Sequence, residues 1–92
     1  MKDWVKNFIN HLEDKHNDFI EKIGCERCGK TNAFKYEFHH IMFKSNYGWH
    51  DEINNPRNLL YLCKKCHQWY HEKKDRRQHL IKERNLDKLF NL

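Results

Sequence analysis

No stretch of this sequence stays apolar for long. Met1 to Ile23 mixes charges throughout, and nowhere does an uncharged apolar run reach the length of a signal-peptide core or a membrane span, so a cytoplasmic chain with no membrane partner is expected. There is no internal repeat and no low-complexity linker, which argues against a solenoid or a string of modules. Glycine and proline are also scarce, at three and one. Ninety-two residues then allow a single domain, and a chain this short buries too little apolar surface to be comfortably stable without a metal, a disulfide or a partner.

What the chain does hold is a dense set of metal-binding side chains. All four cysteines fall into two Cys-x-x-Cys pairs, Cys25/Cys28 and Cys63/Cys66. Without a hydrophobic leader, thiolates on a structural Zn²⁺ are the better expectation than disulfides. Cys25-Glu26-Arg27-Cys28-Gly29 has the form of a zinc knuckle, with Gly29 supplying a positive-φ position. Four thiolates already close one tetrahedron, yet the same stretch also offers His39, His40, His67 and His71. That surplus points to a second metal with open positions, the requirement for metal-assisted chemistry.

The charge is lopsided. Residues 1–63 hold nine Lys/Arg against nine Asp/Glu, whereas 64–92 hold nine against four, so the whole net excess of +5 lies behind the second cysteine pair. Such a segment suits a phosphate backbone, although a basic helix surface is often only a solvated face.

The hydrophobic pattern implies an α+β fold. Trp4, Val5, Phe8, Ile9, Leu12, Phe19, Ile20 and Ile23 fall near a period of about 3.6 residues, predicting an amphipathic helix over 3–22 that Gly24 stops. Four lysines against five acids from Met1 through Lys22 argue for packing on the rest of the domain rather than on DNA, and make His11 and His16 surface residues. Phe34 to Met42 reads as a half-buried strand, with Phe34, Tyr36 and Phe38 alternating with Lys35 and Glu37. Residues 43–57, with Ser45-Asn46, Gly48 and Asn54-Asn55-Pro56, read as a surface loop, and Leu59 to Leu62 as a second strand. A helix from about Cys63 to Asn85 and a short piece over Leu86 to Phe90 complete the chain.

His67 and His71, four apart on a helix, project from one face one turn apart. Because adjacent helical residues are rotated by roughly 100°, the same first turn can aim Cys66 at one metal and His67 at another. His50 and His79 read as a loop residue and a basic-helix residue, and Tyr61, Trp69 and Tyr70 as packing aromatics rather than base-stacking platforms.

The ordered set Phe38-His39-His40-Ile41, Asn55-Pro56-x-Asn58-Leu59-x-x-Leu62-Cys63-x-x-Cys66-His67-x-x-x-His71, preceded by Cys25-x-x-Cys28-Gly29, resembles the HNH endonucleases, the ββα-metal or His-Me finger nucleases, including short free-standing phage-type members. The resemblance implies a small zinc-stabilised ββα-metal, treble-clef-like domain: an N-terminal helix over 1–24, a knuckle plus ββα-metal core over 25–71 and a basic helical extension over 72–92. It implies a metal-dependent DNA endonuclease in which His40 is the general base, Asn58 braces the hairpin, and His39, His67 and His71 hold one catalytic divalent metal, with Cys25, Cys28, Cys63 and Cys66 on structural zinc. A phage-encoded chain would work in the host cytoplasm.

Many family members carry an acid where His39 stands, so a His-rich site favours Zn²⁺, Ni²⁺ or Mn²⁺ over the oxygen-preferring Mg²⁺, and the metal is left open among these four. Adjacent strand residues point to opposite faces, so a bulge or turn is expected at His39-His40 to bring both to one phosphate. Arg57, Lys64, Lys65, Lys73, Lys74, Arg76 and Arg77 are the candidates for phosphate contacts. One small finger contacts few base pairs, so low sequence selectivity is expected, with room for a specificity-providing or packaging protein partner and for a monomer or a homodimer. The rival reading is a non-catalytic treble-clef zinc module that binds nucleic acid; it has no use for His39, His40, Asn58, His67 and His71 in register. Cys63-x-x-Cys66-His67 also matches a c-type haem attachment motif, which would leave Cys25/Cys28 unexplained.

Overall fold

The computed structural model describes residues 2–42 and 50–91. Its helices are α1 (Asp3–His16), α2 (Ile20–Ile23), α3 (Lys64–Glu72), α4 (Lys74–Glu83) and α5 (Leu86–Leu89). A two-stranded antiparallel sheet of β1 (Tyr36–His40) and β2 (Leu59–Cys63) lies between α2 and α3, with a 3₁₀ turn at Pro56–Asn58 leading into β2.

The sheet partitions the molecule. Alternation along β1 sends Phe38 and His40 to one face and Glu37 and His39 to the other. On the first face Trp4, Phe8 and Leu12 of α1 pack with Phe38, Leu59 and Tyr61, and Trp4 and Phe8 meet the Phe38 ring edge-on at 6.0 and 5.8 Å. On the second, Leu60 and Leu62 join Ile41, Met42, Ile53, Leu80, Ile81, Leu86 and Phe90 in a larger core that also includes Cys25, Cys63 and Cys66. The cysteine cluster is thus the end wall of that core, consistent with a small domain that needs a metal to complete its interior.

The fold departs from the sequence pattern in four places. The single N-terminal helix breaks at Asn17, which adopts the left-handed conformation (φ 52°, ψ 45°) and donates its backbone N–H to the Glu13 carbonyl. Asparagine tolerates that conformation, which makes it a natural helix stop. The backbone N–H of Ile20 donates to the Glu13 carboxylate at 2.9 Å, securing the start of α2. The long C-terminal helix breaks at Lys73, which is extended (φ −135°, ψ 128°). His71 to His79 holds no apolar residue that could have shown where one helix ends and the next begins, and the redirected α4 buries Leu80 and Ile81 in the larger core.

No bulge forms at His39–His40. The register runs unbroken through His39↔Leu60 and His40↔Leu59, so among the described residues β1 has no irregularity and the two histidines stand in different layers. The strand itself is shorter than Phe34 to Met42, because Ile41 and Met42 leave the ladder for bonds to Asn58. Of the expected 43–57 loop, the stretch with Ser45, Asn46, Gly48 and Trp49 lies outside the described residues.

Candidate metal centres

The knuckle is fixed from both sides. Gly24 ends α2 with φ 69°, and a side chain there would collide with the Lys30 carbonyl, which accepts the Cys25 N–H at 2.9 Å. Glu26 donates its N–H to the Tyr61 carbonyl (2.8 Å) and accepts the Tyr61 N–H on its carboxylate (2.6 Å), stitching the knuckle to β2. The Sγ atoms of Cys25, Cys28, Cys63 and Cys66 all lie within 4.8 Å of one another. Burial opposes ionisation at Cys25, but backbone N–H groups of the cluster outweigh it and bring the thiol down to about 6, whereas burial pushes Cys66 up to about 12. Four clustered thiols resist becoming four thiolates by themselves, and a soft divalent cation removes that resistance. The donor set fits structural zinc. Arg27 adds a guanidinium N–H to Cys66 Sγ at 3.4 Å, while its other face lies 3.6 Å from the Trp69 ring centroid.

A second cluster sits where α3 crosses the His39 face of β1. Nitrogens of His39, His67 and His71 lie within 4.8 Å of one another, and the Nε2 atoms of His67 and His71 are 3.1 Å apart. His39 is 1 % exposed, stacked on Tyr70 at 5.7 Å. Burial, reinforced by the neighbouring His67 and His71, lowers its pKa to about 3, and burial also lowers that of His71. Two of the imidazoles are thereby biased to the neutral, ligating form at physiological pH. Glu37 Oε2 sits 2.6 Å from His67 Nδ1, and accepting a proton bond there leaves His67 Nε2 as the lone-pair nitrogen facing the cluster. Three imidazole nitrogens at this spacing fit a divalent metal that retains open positions. The surrounding groove is lined by Glu37, Lys64, His67, Gln68, His71 and Glu72.

His40 lies on the other face. Its ring is 5.3 Å from that of Trp4, and its Nε2 is 2.8 Å from Asn54 Oδ1, so with Nε2 donating, Nδ1 is left as the acceptor. Asn58 is wholly buried; its Oδ1 accepts the Met42 N–H at 2.7 Å while its Nδ2 donates to the Ile53 (2.8 Å) and Met42 (3.2 Å) carbonyls. The side chain therefore ties together both ends of the segment that separates β1 from the 3₁₀ turn.

The basic candidates divide by location. Lys64 borders the imidazole groove, and Lys74 and Arg77 line a neighbouring hollow with Tyr70 and His71. Lys64, Lys65, Lys73 and Lys74 are exposed. Arg57 and Arg84 donate to each other's carbonyls, and Arg76 lies over Trp69 while donating to its carbonyl at 2.8 Å, so both Arg57 and Arg76 have structural engagements. His50 is packed on Phe90 and bonded to its carbonyl at 3.1 Å, and His79 pairs with Glu83 on the surface. Glu37 and Asn54 were missed in the sequence. The first was detectable, standing two residues before His39 on the same strand face; nothing local marked the second.

A zinc-ready knuckle, an antiparallel hairpin and a following helix that share a histidine cluster define a ββα-metal domain. The chain belongs to the HNH endonuclease family, whose sequence profile matches residues 25–73. It is 42% identical over 50 residues to a protein of Lactococcus phage SK1 named as a probable HNH endonuclease, covering 51% of this chain and 52% of that protein. The chain thus spans about half the length of that relative. No solved structure matches it. Among the described residues no helix is long and apolar enough to cross a membrane.

Proposed function

We propose that this chain is a metal-dependent DNA endonuclease of low intrinsic sequence selectivity, acting as one domain over residues 1–92. The observation that carries the reading is the convergence of His39, His67 and His71 within 4.8 Å, inside the family-matched segment and separate from the four cysteines. A binding module would use the cysteine cluster and the lysines but not a second, imidazole-only cluster.

In this reading His39, His67 and His71 hold the catalytic ion, which would supply positive charge against the pentacoordinate phosphate and the departing oxygen. His40 is the general base: Asn54 fixes the Nε2–H tautomer, so Nδ1 takes the proton of the attacking water. Asn58 acts without touching substrate, by holding Met42 and Ile53 and hence the strand end that carries the base. Lys64, Lys74 and Arg77, around the imidazoles, are the nearest candidates to receive phosphates, with Lys65, Lys73, Arg57 and Arg76 further out. Zinc on Cys25, Cys28, Cys63 and Cys66 is structural.

Nicking of supercoiled plasmid in Mg²⁺, Mn²⁺, Ni²⁺ or Zn²⁺ tests the reading. His40→Ala should lower the rate by about 10²- to 10⁴-fold while the zinc content is unchanged. Cleavage indifferent to that substitution would remove the base assignment, and no cleavage in any of the four metals would favour the binding module.

A further inference from the structure

One surface feature is left unused by the chemistry above. Phe34 is fully exposed, at 106 % of its reference accessibility, the most exposed large apolar side chain among the described residues. Single exposed apolar residues are ordinary on protein surfaces. The surroundings of this one are not.

First, the backbone presenting Phe34 is fixed. The Tyr36 hydroxyl donates to the Lys30 carbonyl at 2.6 Å and accepts the Ala33 N–H at 3.1 Å, while its ring stacks on Tyr61 at 4.8 Å with an interplanar angle of 8°. The 30–36 turn is therefore clamped at both ends and held against the zinc knuckle. Second, Phe34 shares a groove with Lys30, Lys35, Lys64 and Lys65, all exposed; the groove also takes in Arg27 and the knuckle residues Cys28, Cys63 and Cys66, and no Asp or Glu lines it. Third, Lys64 and Gln68 line both this groove and the one holding His67 and His71, so the two surfaces are continuous around the start of α3.

A solvent-facing aromatic ring on a clamped turn, amid cations and with a polar path to the imidazole groove, has the composition of a stacking platform for single-stranded nucleic acid: the ring takes a base face and the lysines take the flanking phosphates. A fully paired duplex keeps its base faces covered and has little to offer the ring. We propose that Phe34 stacks on an unpaired base while Lys30, Lys35, Lys64 and Lys65 hold the adjoining backbone, so that the chain prefers DNA with a gap or flap beside the scissile phosphate. This rests on the nuclease reading for its orientation toward the imidazoles, and on the surface alone for the stacking.

The test uses the zinc-loaded full chain without added divalent ion, so that the probes stay intact. Two duplexes of the same sequence are compared at fixed salt, one fully paired and one with a single-nucleotide gap opposite 2-aminopurine. Anisotropy should show tighter binding to the gapped probe by about 10-fold, within the range known for one stacked base, with a fall in 2-aminopurine emission. Phe34→Ala, at a position with no packing to lose, should remove the preference and the quenching while leaving paired-duplex affinity unchanged, and Phe34→Trp should keep both. Equal wild-type affinity for the two probes, or equal losses on both in Phe34→Ala, would overturn the platform. If the wild-type chain binds both probes equally while supercoiled plasmid is still nicked in the separate metal assay, only the platform falls. If neither probe is bound, the DNA reading fails with it, and a protein partner becomes the occupant of the patch.

Discussion

Glu37 and His67 meet across the sheet–helix junction, Oε2 to Nδ1 at 2.6 Å, and this carboxylate decides which nitrogen of His67 faces His39 and His71. Partners of this kind typically contribute 10- to 100-fold to metal affinity. Glu37→Gln should therefore weaken Mn²⁺ or Ni²⁺ binding by about that factor in calorimetric titration, with zinc still at one per chain. Unchanged affinity would reduce Glu37 to a surface acid.

Asn58 satisfies one buried N–H and two carbonyls with one side chain. Asn58→Ala leaves them stranded, and a loss of at least about 3 kcal/mol in urea denaturation is expected, each of the three orphaned buried groups costing roughly 1–3 kcal/mol. Asn58→Asp should also destabilise, because a carboxylate can replace the acceptor but not the amide that donates to Ile53 and Met42. A stable Asn58→Asp would show the donor half to be dispensable.

Removal of zinc should unfold the knuckle and the larger core together, since Cys25, Cys63 and Cys66 are part of that core. Cys66→Ser is expected to lose stoichiometric zinc and cooperative thermal unfolding. Loss of zinc with the melting transition intact would show that the apolar contacts suffice alone.

The pH dependence of stability follows from His39. Burial depresses its pKa in the folded chain to about 3, from an ordinary 6.5, so between those values the unfolded chain holds a proton that the folded chain does not. Stability should then rise with pH across that window and flatten above about 6.5. Compared by urea midpoints at pH 5.0 and 7.5, His39→Gln should show a shallower rise than the wild-type chain. An identical slope would mean that His39 does not couple to folding.

Spacing made much of this legible. The two Cys-x-x-Cys pairs, the i, i+4 histidines and the change from Cys66 to His67 on one helical turn needed only local geometry, as did both strands. The breaks at Asn17 and Lys73 were not legible for different reasons. Asn17 interrupts a helix whose apolar period continues beyond it, and Lys73 sits in a run with no apolar residue to report a change of direction. The bulge expected at His39–His40 is absent because both residues pair in regular register with Leu60 and Leu59. The bond from Asn54 to His40 joins residues fourteen apart and depends on a turn whose path no local pattern dictates.

The division of β1 between two cores also protects the chemistry from error. A slip of one residue would carry His40 in among the imidazoles and drive Phe38 out of its contacts with Trp4 and Phe8, inverting every role on the strand. Because α1 selects for one face and the cysteine-walled core for the other, a misregistered hairpin is rejected twice, by layers that share little beyond the strands themselves. Five residues are a short tether for an active site. Two independent witnesses to their alignment let so small a sheet hold a single register.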